Sequence, residues 1–145
     1  MNTATRERRL TRLADYLEEL PRTKRFNMGT WGEHHGKHEP AEMNYCGTEA
    51  CALGHAAMMP EFKRAGLKLE WMHHTPWNGI GAGWWEAEIS FKSRMADRAG
   101  ALFFGLSGSE AYDLFYTQRS KPRVIARLRK LAKLPHDPYA STIEN

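Results

Sequence analysis

Cys46 and Cys51, five residues apart, and His55, four residues beyond the second, have the types and spacing best suited to chemistry in this sequence. A helix that starts with Thr48 as its N-cap places Cys51 near the third position. There the positive end of the helix dipole favours the thiolate. His55 then lies one turn further on the same face, where it could serve as base to a Cys51 nucleophile. A redox disulfide between Cys46 and Cys51 is a second chemical reading, set by the geometry of the entry turn. Against both stands simple packing. Free cysteine is among the most buried residue types, and nothing in the order of residues supplies a third group to orient His55. Packing is the preferred expectation, and catalysis by Cys51 and His55 is kept as its alternative.

Six of the seven histidines fall between residues 34 and 74. His34 and His38, with Cys46, Cys51 and His55, are acceptable zinc ligands by type. Their spacing matches no zinc finger, because the cysteines are not in a C-x2-C pair and the stretch around His34 and His38 does not read as helical. The expectation is therefore no metal and no cofactor, with this set as the ligands if a metal is held.

Two features suit binding better than catalysis. Arg119, Arg123, Arg127 and Lys130 recur at helical spacing near the C-terminal end, opposite Val124, Ile125, Leu128 and Leu131. Such a stripe can follow phosphates or dock on an acidic protein. The protein partner is the preferred reading, because the stripe is one helix wide and residues 26–116 carry seven Lys/Arg against eleven Asp/Glu. The second feature is tryptophan. Trp71 and Trp85 fit a buried strand face, whereas Trp77, in a glycine-rich link, and Trp84, on the glutamate side of a strand, are candidates for exposure and for interface anchoring.

Three segments stand in order: Phe-Asn-Met-Gly-Thr-Trp at 26–31, Cys-Gly-Thr-Glu-Ala-Cys-Ala-Leu-Gly-His-Ala at 46–56, and Phe-Gly-Leu-Ser-Gly-Ser-Glu-Ala-Tyr-Asp-Leu-Phe at 104–115. Across roughly residues 10–130 this pattern resembles a family of small uncharacterised proteins encoded by bacteriophages and bacteria. The resemblance implies no reaction, cofactor or partner. The family pattern carries an aromatic residue where this chain has His55, which argues against His55 as a shared catalytic group.

The elements that must position these residues are readable from periodicity. Leu10, Leu13, Leu17 and Leu20 predict a helix over residues 5–20, closed by Pro21. Residues 22–45 read as one long polar loop. A helix is expected over 48–59, with Gly54 in its interior used for close packing against a neighbour. Alternation predicts a strand pair over 67–72 and 84–91, joined by a glycine-rich tip. Helices are expected over 92–104, from a Ser107–Glu110 capping box to about Tyr116, and from about Pro122 onward. No Walker loop, dinucleotide fingerprint or metalloprotease signature is present.

The totals agree with one globular domain spanning residues 1–145, with 136–145 as a flexible tail. Apolar residues make up 41% and charged residues 26%, the composition of an ordinary folded chain. No apolar run approaches the length that crosses a bilayer, and the charged first residues are not followed by the apolar core of a secretory signal. Two cysteines do not make a disulfide framework, so the cytoplasm is expected, that of the host cell if the protein is phage-encoded. The net charge of +4 is concentrated at the ends, with balances of +3 over residues 1–25 and +5 over 117–145. The expected fold is α+β, about five helices packed on a small antiparallel hairpin or sheet. The expected function is that of a small binding or accessory module acting through a protein partner. A Cys/His- or metal-dependent enzyme and a nucleic-acid-binding protein are the alternatives. No membrane partner is expected, and the oligomeric state stays open.

Overall fold

Asn2 starts the first helix: its side chain accepts the Thr5 backbone N–H at 2.8 Å, and α1 then runs over Thr3–Glu18. Its leucine stripe, Leu10, Leu13 and Leu17 with Ala14, is fully buried. Much of that stripe meets α6 (Lys121–Lys133), which begins after Ser120, carries Pro122 in its first turn and buries Val124, Leu128, Leu131 and Ala132. The structure, a computed structural model, describes residues 1–20, 25–35, 39, 48–81, 83–118 and 120–134.

Between these helices lies an α+β arrangement. Two strands form a long antiparallel hairpin, β4 (Lys68–His74) and β5 (Trp84–Phe91), as the alternation predicts. Leu69 pairs with Ile89 and Trp71 with Ala87 on the face turned to the core, while Glu70 faces Glu88 and Met72 faces Glu86 on the other. Three short strands extend the sheet: β1 (Arg25–Phe26), β2 (Glu33–His34) and β3 (Thr48–Ala50), in the order β1-β3-β2-β5-β4. Every pairing is antiparallel except that of β1 with β3. A sixth strand, β6 (Arg94–Met95), pairs back onto β5.

The remaining helices are α2 (Ala52–Met58), α3 (Pro60–Arg64), α4 (Ala96–Phe104) and α5 (Gly108–Tyr112), the last continuing into a π-helical turn over Asp113–Thr117. Gly105, at φ +67°, ends α4 in the left-handed conformation that glycine adopts without strain. The expected capping box follows it: Ser107 Oγ accepts the Glu110 N–H at 3.1 Å, and Glu110 Oε1 accepts the Ser107 N–H at 2.9 Å. Edge-to-face phenylalanines, among them Phe62, Phe91, Phe103 and Phe104, fill the space between helices and sheet.

Arg6 has no counterpart in the sequence reading. It is only 2% exposed, and its guanidinium donates to the carbonyls of Gly105 (3.0 Å), Leu131 (2.7 Å) and Leu134 (2.9 Å). One buried cation thus satisfies orphan carbonyls at the ends of both α4 and α6. Arg9 does similar work beside it, donating to Phe103 O at 2.6 Å while its guanidinium lies 4.0 Å above the Phe103 ring.

Three expectations are corrected. The segment 22–45 is not wholly irregular, since it contains β1 and β2. Two-residue strands carry no periodicity and exist only because β3 and β5 lie beside them. The helix expected from residue 92 begins at Ala96. Lys92 (φ 47°) and Ser93 (φ 66°) form a tight hairpin turn that pairs Phe91 with Arg94, without the Asn or Gly that usually marks such a turn. The helix expected from Thr48 begins at Ala52, because residues 48–50 are strand β3.

Candidate functional site

The last correction decides the chemistry of the cysteine box. With residues 48–50 in the sheet, Cys51 becomes the N-cap of α2. Its backbone N–H donates to Thr30 O at 2.8 Å, and its side chain faces the core at 1% exposure. Burial pushes the thiol up to about 11, outweighing the backbone N–H groups at the helix start that favour the thiolate. At neutral pH the group is a protonated thiol with no path to a substrate. His55 is also fully buried, stacked on Phe26 at 6.2 Å and tilted against Tyr16 at 6.2 Å. The geometry does not support a nucleophile and base at Cys51 and His55.

The suggested metal set is not brought together as far as the structure describes it. His38 and Cys46 lie outside the described residues. His34 is buried in β2 opposite Thr48 and Trp85, and burial, with His35 adding, lowers its pKa. Among the described residues, no group of three or more His, Cys, Asp or Glu side chains is placed to hold a metal ion.

The basic stripe is partly neutralised. Arg119 lies outside the described residues. Arg123 and Lys130 are exposed, but Arg127 Nε meets Asp113 Oδ2 at 3.2 Å. The adjacent Arg129 bridges Asp15 at 2.9 Å and Glu18 on α1. On the hairpin, Trp77 is 97% exposed and Ile80 75% exposed at the tip, and Met72 is exposed on the outer face of β4. Trp84, expected to be exposed, is half-buried. It stacks on His74 at 5.4 Å and donates its indole N–H to Glu86 Oε1 at 2.8 Å.

A further arrangement was not assembled by sequence reasoning. Residues 26–32, residues 50–54 and the pair Phe115 and Tyr116 come together. Asn27 N–H donates to Ala50 O at 2.9 Å, and a Cβ on Gly54 would lie 1.7 Å from Trp31 O, so the close-packing role expected of Gly54 has a specific neighbour. Trp31 meets Tyr116 edge to face at 5.1 Å, and Tyr112 lies 5.1 Å beyond Tyr116. A half-open cleft of ≈ 390 Å³ opens here, between residues 28–32, Glu86 and Ala87 on β5, and Phe115 and Tyr116. Burial pushes the Tyr116 phenol above its ordinary value, with Asp97, Tyr112 and Cys51 adding. The signal was present in the sequence: Tyr112 and Tyr116 are four apart and fall outside the apolar set Ala111, Leu114 and Phe115 of their helix. Trp31, however, comes from a segment that only the fold brings to them.

Compared with known protein families, curated proteins and solved structures, the chain matches none.

Proposed function

We propose that this chain is a small accessory module that acts by binding a partner protein, of the kind encoded by bacteriophages, and that it works in a cytoplasm. The observation that carries this reading is the hairpin tip. Trp77 at 97% and Ile80 at 75% exposure project from a glycine-rich turn, and tryptophan is among the residues most enriched at the hot spots of protein interfaces. The buried protonated thiol of Cys51 favours binding over cysteine chemistry. Pairing of Arg127 and Arg129 with carboxylates leaves Arg123, Lys130 and Lys133 as the exposed cations of the last helix, a small footprint for nucleic acid. A free, buried Cys51 fits a reducing compartment, and no helix of the described residues is long and apolar enough to cross a membrane.

The test is affinity capture from host lysate with tagged wild type and the Trp77→Ser variant, each with and without nuclease. The expected result is a protein retained through nuclease treatment and lost with Trp77→Ser. Capture that nuclease abolishes, or that ignores Trp77, would overturn the proposal.

A further inference from the structure

The cleft beside the π-helical turn has a lining that specifies what it can take. Trp31 and Tyr116 line it 5.1 Å apart and nearly perpendicular at 80°, and Tyr112, 5.1 Å from Tyr116, extends this ridge of rings beyond the cleft. The indole N–H of Trp31 and the hydroxyls of Tyr112 and Tyr116 make no hydrogen bond among the described residues. Met28, Ala87 and Phe115 line the cleft together with Thr30 and Glu86, so its wall is of mixed character. The ridge is held in place before any ligand arrives. Trp31 O is sealed against Gly54, and Tyr116 sits in a π-helical turn, a departure from α-helix that concentrates at functional sites.

A matching ligand must therefore offer flat apolar surface to the rings and acceptors to the donors of Trp31, Tyr112 and Tyr116. A polyproline II segment has this chemistry. Its pyrrolidine rings pack on aromatic faces, proline has no N–H, and its carbonyls carry no internal hydrogen bonds. One turn of three residues rises about 9 Å, longer than either 5.1 Å ring-to-ring step, so a single turn can meet more than one ring. A cationic ligand is the competing chemistry, because Glu86 lines the cleft; its carboxylate accepts the Trp84 indole N–H at 2.8 Å and lies 3.3 Å from His74 Nε2, and the arginine probe below separates the two.

We infer that the cleft between residues 28–32 and the π-helical turn docks a proline-rich segment of the partner protein. The inference rests on the protein-binding reading above and names the chemistry of the partner.

The test is titration of the full-length, ¹⁵N-labelled protein with acetyl-octaproline-amide, followed by NMR and tryptophan fluorescence. Acetyl-(Gly-Ser)4-amide and acetyl-arginine-amide serve as comparison probes. Saturable octaproline binding is expected, with the largest shift on the Trp31 indole N–H. Tyr112→Ala, at a side chain 56% exposed and so dispensable for folding, should weaken binding by about tenfold, the loss typical of an interface anchor. Tyr116→Phe, which removes only the donor, should weaken it by about threefold or more. Arg8→Met, on the exposed side of α1, should leave it unchanged. Absence of saturable binding at several millimolar, equal binding of the Gly-Ser peptide, saturation by the arginine probe alone, or shifts centred on Trp77 would each overturn the inference. Octaproline binding with no Trp77-dependent capture would leave the cleft standing and remove the hairpin-tip reading; the reverse pattern would remove the cleft alone.

Discussion

Gly54→Ala sets two physical effects against each other in sign. Gly54 lies inside α2, where alanine in place of glycine ordinarily stabilises by about 1 kcal/mol. Here the added Cβ would lie 1.7 Å from Trp31 O, 2.9 Å from Trp31 C and 2.8 Å from Ala50 Cβ. The first two are backbone atoms and cannot swing aside. Their segment is pinned by the hydrogen bond from Cys51 N–H to Thr30 O at 2.8 Å, so either α2 or the 28–32 strand of chain must move. Overpacking of this kind costs about 3 kcal/mol at the upper end of its usual range. Subtracting the propensity gain leaves a net loss of about 2 kcal/mol, or a Tm lower by about 6–8 °C for a domain of this size. Thermal denaturation followed by circular dichroism measures it, and the near-ultraviolet signal of Trp31 against Tyr116 should weaken in the folded state. An unchanged or raised Tm would show that helix propensity wins and that the close contact with Trp31 is not a constraint.

Three further outcomes are expected. Cys51 remains protonated in the folded protein up to about 11, whereas the unfolded chain loses that proton near 9. The unfolded state therefore binds fewer protons between these values, and stability falls as pH rises through that window by about 2–3 kcal/mol. Cys51→Ala should cost about 1–2 kcal/mol at neutral pH and flatten that decline; equal pH slopes for the two proteins in urea melts would refute the buried thiol. Arg6→Met removes the side-chain donor from Gly105 O and Leu134 O, while Leu131 O keeps the Leu134 N–H, and should cost about 2–3 kcal/mol; Arg8→Met on the exposed side of α1 should stay within about 0.5 kcal/mol, and similar losses at both sites would contradict the role of Arg6. Arg123→Glu with Lys130→Glu should leave Tm within about 2 °C, because both side chains are exposed and no carboxylate among the described residues pairs with them.

Wherever a local rule acted over enough residues, the sequence by itself determined the element. The leucine stripe of α1, the alternation of β4 and β5, the Ser107–Glu110 capping box and the apolar face of α6 are all stated in their own residues, and so is the α+β class. Short elements that lean on distant partners were decided by tertiary structure. Strands β1 and β2 exist because β3 and β5 offer unpaired edges, and β3 in turn moved the start of α2 by four residues. That shift carried Cys51 from a dipole-activated position to a sealed N-cap, so the protonation state of the thiol was settled by burial and not by its place in a motif. Arg6 reads as one more surface charge until two helix ends converge on it. Trp31 and Tyr116, 85 positions apart, become one ridge only when Gly54 lets their segments close to van der Waals contact. Periodicity records which face of an element is apolar; which elements that face meets, and what is caught between them, depends on long-range packing that no local pattern encodes.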